Sequence, residues 1–241
     1  MVYRETNVKS TQNITMNDGK MQVKNEIIEE FKKLYTGAVS DVMLAMGQRA
    51  TIDPRIRPIY EGIMMCGRAF TIKATPSRKN DQTVDTDAKE ACKPGDVVII
   101  DGGGTMEQTF WGENSATACK VRGAVGTVID GACRDIASIR KMKFPTYCRF
   151  ISPGISKGIV SLTKFNVTVS CGDVSVNPGD IVLGDDDGVV IVPQEMAESV
   201  LEKTNAYGEV DRRVAQALLE GKSVREAYAL RKDLLKRITN H

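Results

Sequence analysis

The chain has 241 residues and a formal net charge of +2 at pH 7; 41% of the residues are hydrophobic, 27% are charged and 5% are aromatic. These proportions are ordinary for a globular domain, and the small net charge and few aromatic side chains argue against a nucleic-acid-binding protein. Because the sequence contains no run of about 18 apolar residues, we predict that it has no membrane span.

The first residues and the cysteines are both typical of a cytoplasmic protein. Residues 1–22 are polar, lack the apolar core of a signal peptide, and are interpreted as a flexible N-terminal extension. No C-x-x-C pair is present and the single histidine is His241, so a tight zinc site is not expected. We predict reduced thiols for all the cysteines, which are Cys66, Cys92, Cys119, Cys133, Cys148 and Cys171.

Helical and alternating patterns follow each other in the first third of the chain. Apolar residues at helical spacing predict a helix around residues 27–34. Ser40 or Asp41 is predicted to cap a second short helix over residues 41–46. Alternation of apolar and polar residues over 64–75 then predicts a strand.

Two short apolar runs, residues 97–101 and 124–130, are predicted to be buried strands. The residues between them are interpreted as a loop over 102–113 and a helix over 114–123 that Asn114 can cap and Gly123 closes. The order strand, loop, helix, strand predicts a parallel βαβ unit with a right-handed crossover. A further helix and strand are predicted to follow this unit.

The pattern changes after about residue 155, where short strands alternate with tight turns. The acidic run GDDDG at 184–188 lies between two apolar runs and is predicted to be a hairpin turn rather than a metal site. Residues 194–241 are predicted to form a C-terminal helical segment that packs on the domain or on a neighbouring subunit. We therefore predict an α/β fold of packed layers around one core over residues 23–193.

Two glycine-containing loops are candidates for ligand binding. The run GGGT at 102–105 follows a strand but lacks the G-K-[ST] or G-x-G-x-x-G pattern of a nucleotide site, so a tight turn is the preferred interpretation. Gly112 precedes a predicted helix, so the amides of Glu113, Asn114 and Ser115 can bind a carboxylate. The alternative is that Asn114 or Ser115 caps its own helix.

Arg134 and Asp135 follow the next predicted parallel strand. Ligands in open α/β sheets bind beyond the carboxyl ends of the strands, so both loops are predicted to meet at one sheet edge. Arginine binds carboxylates with two parallel hydrogen bonds, and Asp135 with Glu113 and waters can bind a hard cation. The alternative is a solvated surface ion pair.

The span WGENSATACKVRGAVGTVIDGACRD at 111–135 resembles the signature of the RraA-like family, in which a glycine precedes an Arg–Asp pair by about twenty residues. The stretch PGDIVLGDDDGVVIVP and the tail EVDRRVAQALLEGKS are similar to further family segments, and the resemblance extends from about residue 36 to 237. The family includes the regulator of ribonuclease E activity A and divalent-metal 4-hydroxy-4-methyl-2-oxoglutarate aldolases. It implies a layered, swivelling β/β/α-type domain in homotrimers or homohexamers.

The resemblance also implies roles for individual residues. Pyruvate would be bound by the backbone at Gly112, Glu113, Asn114 and Ser115, and by Arg134. Mg²⁺ or Mn²⁺ would be bound at Asp135, with help from Glu113. A glutamate of the neighbouring subunit would complete the metal site, and Glu209 is the best match for it in this sequence.

The function implied is a metal-dependent lyase that cleaves 4-hydroxy-2-oxo acids to pyruvate and decarboxylates oxaloacetate. Both reactions pass through the enolate of pyruvate, whose charge a metal ion stabilises as a Lewis acid. The alternative is a non-catalytic protein that binds and regulates a ribonuclease. Because Glu113, Asp135 and Glu209 are all present, we expect the enzyme.

Overall fold

The computed structural model describes residues 14–17, 20–76, 83–105, 109–154 and 159–239. Residues 1–13 of the predicted N-terminal extension lie outside this described part, as does His241. Within the described part, no helix is both long and apolar enough to cross a membrane.

Strands and helices alternate through the first part of the chain. Their bounds are β1 (Ile14–Asn17), β2 (Lys20–Val23), α1 (Asn25–Phe31), α2 (Thr36–Ala45), β3 (Arg57–Pro58), β4 (Met65–Pro76), α3 (Thr83–Ala91), β5 (Asp96–Asp101), β6 (Thr109–Trp111), α4 (Glu113–Val121), β7 (Gly126–Cys133), α5 (Ile136–Met142) and β8 (Thr146–Ile151). The predicted βαβ unit is confirmed, because β5 and β7 pair in parallel on either side of α4.

Strands and then helices make up the rest of the chain, as predicted. They are β9 (Val160–Phe165), β10 (Val169–Cys171), β11 (Val174–Val176), β12 (Ile181–Asp185), β13 (Gly188–Val192), a 3₁₀ turn (Gln194–Met196), α6 (Ala197–Leu219) and α7 (Val224–Thr239). The predicted GDDDG hairpin turn is confirmed, since β12 and β13 pair antiparallel around it.

One large mixed sheet organises the molecule. Its strand order is β13-β12-β4-β5-β7-β8-β3, with β6 paired to β7 and β9 paired to β4. The four strands β4, β5, β7 and β8 are mutually parallel, so their carboxyl ends meet at one edge. This mixed α/β sheet with C-terminal helices confirms the predicted fold class.

Three buried clusters give the molecule its layers. Helices α3, α4 and α5 cover one face of the sheet through residues such as Cys119 and Ile139. The hairpin β10–β11 covers the other face through Val169, Cys171 and their neighbours. Helices α1, α2 and the start of α6 cover β12 and β13. All six cysteines are buried without a disulfide, as predicted.

The predicted start of the second helix is wrong. Helix α2 begins at Thr36 rather than near Asp41, and neither Ser40 nor Asp41 caps it. The Thr36 amide donates to Asp185 Oδ2 at 2.8 Å and its hydroxyl to Asp185 Oδ1 at 2.7 Å. A carboxylate 149 positions away thus fixes the first turn, which local capping signals cannot reveal.

The predicted loop over residues 102–113 contains a strand. Thr109 pairs with Ala132 and Trp111 with Cys133, so β6 adds a short parallel neighbour to the end of β7. β5 pairs with β7 only as far as Ile129, which leaves the end of β7 on that side for β6. Three residues are too few for a recognisable alternating pattern.

Candidate active site

The loop at Gly112 connects β6 to α4. Gly112 is the N-cap residue of α4, with an extended backbone (φ −154°, ψ −170°), and no side chain caps the helix. The prediction that Asn114 or Ser115 caps this helix is therefore wrong. Among the described residues, the amides of Asn114 and Ser115 have no hydrogen-bond partner, so the helix begins with free donors.

Arg134 and Asp135 connect β7 to α5 beside this loop. Asp135 has a left-handed backbone (φ 56°) and is the N-cap residue of α5. Its Oδ2 accepts a hydrogen bond from the Glu113 amide at 3.1 Å, and the Arg134 amide donates to the Trp111 carbonyl at 3.0 Å. The two loops predicted to share one sheet edge therefore touch.

The ion pair between the Arg134 and Asp135 side chains is weaker than the hydrogen bond from the Glu113 amide. Arg134 Nε lies 3.6 Å from Asp135 Oδ2, and the two side chains are 40% and 41% exposed. An ion pair this exposed contributes little stability. The carboxylate is held by the Glu113 amide as well as by its neighbour, and the guanidinium remains accessible to a ligand.

Glycine at position 112 lets the two loops approach without displacing a side chain. A Cβ atom at this position would lie 2.5 Å from Asp135 Oδ2 and 3.3 Å from Arg134 Cγ. Since its φ is extended, backbone strain is not the reason for glycine here. The close approach of the two loops is the reason.

The site combines donors for an anion with acceptors for a cation. Two free amides at a helix N-terminus and one arginine suit a carboxylate. Asp135 Oδ1 and the Glu113 carboxylate have no partner within the described part of the chain, and such oxygens suit Mg²⁺ or Mn²⁺. No group of three or more metal-ligating side chains occurs in that part of the chain.

Glu209 does not join this site within one chain. It lies on α6, which packs on α1, α2 and α7 rather than on α4 or α5 in the main contacts between elements. Its carboxylate is bound by Arg212 at 2.8 Å and Arg213 at 3.1 Å, and these hydrogen bonds lower its pKa. Its predicted role in a neighbouring subunit's site stays a prediction.

The GGGT loop turns tightly at the end of β5. Gly103 and Gly104 have positive φ values of 67° and 72°, and the Gly104 amide donates to the Asp130 carbonyl at 3.0 Å. The loop is therefore the predicted tight turn.

Sequence reasoning missed a row of charged residues in which the aspartates and Arg149 are buried and Lys73 is half exposed. Lys73 contacts Asp101, and Arg149 contacts Asp130 and Asp53. The Asp53 carboxylate also accepts from Arg55, which, with Arg149, holds its pKa well below the usual range. The local signal is that Asp101 and Asp130 each end an apolar strand run. Their partners, Lys73 and Arg149, lie in other strands and give no local signal.

Comparison with known proteins shows the family of this chain. The family model described as RraA-like (Aldolase/RraA) matches residues 36–191. The chain belongs to the RraA-like family. The match includes Gly112, Glu113, Arg134 and Asp135 but ends before α6, so it does not include Glu209.

Relatives of this RraA-like chain span most of its length. A protein of Halalkalibacterium halodurans named "Putative 4-hydroxy-4-methyl-2-oxoglutarate aldolase" is 30% identical over 207 residues, covering 86% of this chain and 95% of the relative. The structure of an uncharacterized Pseudomonas syringae protein superposes with a TM-score of 0.77 at 26% identity, over 86% of this chain and 98% of that one.

A second solved structure shares the fold. Streptomyces coelicolor RraAS2, described as an unusual member of the RNase ES inhibitor RraA family, superposes with a TM-score of 0.74 at 23% identity. The superposition covers 79% of this chain and 96% of that one.

Proposed function

We propose that this RraA-like protein is a divalent-metal lyase that cleaves 4-hydroxy-2-oxo acids of the 4-hydroxy-4-methyl-2-oxoglutarate type to pyruvate and also decarboxylates oxaloacetate. The observation that carries the proposal is the hydrogen bond from the Glu113 amide to Asp135 Oδ2. It brings a helix N-terminus, an arginine and two carboxylates together. Two relatives, 30% and 28% identical to this chain, are named "Putative 4-hydroxy-4-methyl-2-oxoglutarate aldolase", and these names support a lyase.

The substrate's C1 carboxylate is assigned to the anion-binding half of the site. The amides of Asn114 and Ser115 and the Arg134 guanidinium bind and orient it, and orientation alone accelerates such reactions strongly. Asp135 and Glu113 would hold Mg²⁺ or Mn²⁺, largely through water. When bound, the ion supplies Lewis-acid stabilisation of negative charge on the 2-oxo oxygen.

The remaining chemistry is electrostatics and proton transfer by the chain's own groups. Arg134 places positive charge beside the oxygens on which the enolate develops. A water hydrogen-bonded to the free oxygens of Glu113 or Asp135 accepts the C4 hydroxyl proton and later returns a proton to the enolate carbon. Decarboxylation of oxaloacetate produces the same enolate, so one site serves both reactions.

The working assembly is proposed to be a cytoplasmic homotrimer or homohexamer. Glu209 is half exposed on α6, which packs on α1, α2 and α7. We propose that it reaches the site of a neighbouring subunit. In a closed symmetric ring, one surface of each subunit contacts a different surface of the next. In this way α6 of one subunit can contact the Gly112 loop of its neighbour.

A substrate panel tests the proposal. Oxaloacetate and several 4-hydroxy-2-oxo acids are incubated with the protein and Mg²⁺, and pyruvate is measured by coupled reduction to lactate. We expect pyruvate from at least one of them with the parent and with Asp187→Ala, a matched variant that removes an exposed carboxylate elsewhere. Asp135→Ala should release none above the blank.

The same assay separates the enzyme from a ribonuclease regulator. If no oxo acid yields pyruvate and the protein instead forms a saturable complex with a ribonuclease, the lyase proposal is wrong. The similarity to Streptomyces coelicolor RraAS2, which is described as a member of a ribonuclease-inhibitor family, makes that binding measurement worthwhile.

A further inference from the structure

A buried chain of charges lies across the ends of β7 and β8. Arg149 donates from Nε to Asp130 Oδ1 and from a terminal nitrogen to Asp53 Oδ2, both at 2.6 Å. The three side chains are at most 9% exposed. Charges this deeply buried persist only when paired, and removing one partner leaves another unpaired.

Asp130 also fixes two backbone segments. Its Oδ2 accepts from the Gly172 amide at 2.9 Å, in the turn between β10 and β11. Its carbonyl accepts from the Gly104 amide at 3.0 Å, in the loop that leads to β6. Asp130 therefore joins β8, the covering hairpin and the glycine loop at one point.

The same point supports β6. Asp130 lies on β7 between Ile129, the last residue paired with β5, and Ala132, which pairs with β6. The Phe110 ring fits between Gly102 and Gly131, where an added Cβ would come within 2.6 Å and 2.7 Å of ring atoms. Phe110 is two residues before Gly112, so a shift in the packing of Phe110 is transmitted to the candidate site.

We infer that Asp130, acting through Arg149, is a positioning residue that holds the Gly112 loop and Arg134 in the geometry needed for the reaction; the inference rests on the proposed function. Asp130 lies in β7, and Arg134 follows the end of this strand four residues later. An added Cβ at Gly112 would force the Asp135 carboxylate out of this loop contact. Loosening Asp130 would separate the carboxylate-binding amides from the guanidinium.

Asp130→Asn tests the inference in the full-length protein. Asparagine keeps the shape but offers only one acceptor where Arg149 and Gly172 both donate. We expect kcat/KM for oxaloacetate with Mg²⁺ to fall at least about tenfold, since small displacements of reacting groups cost rate steeply. If Asp130→Asn does not fold, Arg149→Lys replaces it as the test. The single ammonium group of lysine cannot bond both Asp130 and Asp53 as the guanidinium does.

The matched control is Asp180→Asn. Asp180 is another buried acid that accepts two backbone amides, from Asn177 at 2.7 Å and Gln194 at 3.3 Å. Its carbonyl accepts from the Ala69 amide near the start of β4, at the opposite edge of the parallel strands. We expect this variant to keep the parent's kcat/KM. Equal losses in both variants would overturn the positioning role.

Trp111 supplies a readout that does not depend on activity. It is the sole tryptophan of the sequence, it is 2% exposed, and Gly112 follows it. Without substrate or metal, we expect Asp130→Asn to shift Trp111 emission to the red and increase its quenching by acrylamide, and Asp180→Asn to change neither.

The two readouts separate this inference from the proposed function. If Asp130→Asn leaves Trp111 emission or kcat/KM unchanged, Asp130 does not position the site, even where the parent releases pyruvate. If the parent turns over no oxo acid, the proposed function fails. A Trp111 change confined to Asp130→Asn would then still support the role of Asp130 in holding the loop.

Discussion

Gly112 and Asp135 lie so close that the first atom of a side chain at position 112 would overlap a carboxylate oxygen. Their contact joins the start of α4 to the start of α5 through the hydrogen bond from the Glu113 amide. The substrate-binding and metal-binding halves of the proposed site are adjacent because of this one approach. A substitution at position 112 therefore tests both halves at once.

Gly112→Ala should reduce kcat/KM for oxaloacetate by about a hundredfold, because the methyl group pushes Asp135 out of place and a shift of about 1 Å costs that much. Steady-state kinetics with Mg²⁺ measures the loss. The control is Gly37→Ala in α2, where a Cβ meets only the Tyr35 ring at 3.7 Å and 3.8 Å. Parent-like kinetics in Gly112→Ala would show that the loops need not approach this closely.

The sequence predicts the candidate residues better than their contacts. Arg134 and Asp135 stand out because charges follow a strongly apolar strand. The bond of Asp135 to the Glu113 amide spans 22 positions, and that of Arg149 to Asp53 spans 96. Such pairings depend on strand order and register, which single-residue patterns do not encode.

At the scale of elements, strands with a long apolar run are predictable and short or tertiary ones are not. β4, β5 and β7 appear where alternation or continuous apolar residues predict them. The start of α2 depends on Asp185, and β6 depends on pairing with the end of β7. Both errors arise where a distant segment, rather than local propensity, decides the structure.

Asp180 makes the anchoring of β12 pH-dependent. Burial raises the pKa of its carboxyl to about 6 from an ordinary value of 3.8, despite amide hydrogen bonds from Asn177 and Gln194 that oppose the shift. Between pH 3.8 and about 6, the Asp180 carboxyl therefore stays protonated in the folded chain, whereas it loses its proton in the unfolded chain. This group's contribution to the free energy of unfolding is greatest below pH 3.8 and falls by about 3 kcal/mol as the pH rises through 6.

Urea unfolding of the parent and Asp180→Asn at several pH values measures this contribution. We expect the parent to lose stability relative to the variant as the pH rises from about 4 to about 7. A stability difference that does not change with pH would show that Asp180 does not titrate in this range. Comparing the two proteins cancels the opposite trend from Asp53, whose lowered pKa favours folding at higher pH.

At the scale of the whole molecule, the proposed role of Glu209 depends on an assembly of subunits. Helix α6 packs on α1 and α2, and Glu209 faces outward beside Arg212 and Arg213. If a neighbouring subunit supplies Glu209, Asp135→Ala and Glu209→Ala should each be inactive alone. Co-expressed subunits should recover about a quarter of the parent's sites, since random mixing pairs intact partners at that frequency.

The oxaloacetate assay on purified mixed assemblies measures the recovery. Mixing Asp135→Ala with a chain that carries both substitutions is the control, because no interface then has both intact residues. If the first mixture is as inactive as its components, Glu209 is not shared between subunits.

Metal dependence of pyruvate release is the most direct test of the proposed lyase. The full-length protein is assayed with oxaloacetate before and after thorough chelation, and protein-free and Asp135→Ala blanks are subtracted because free metal ions decarboxylate oxaloacetate slowly. We expect chelation to abolish release and added Mg²⁺ or Mn²⁺ to restore it. Release that continues unchanged in chelated protein would contradict the assignment of Asp135 and Glu113 to a metal ion.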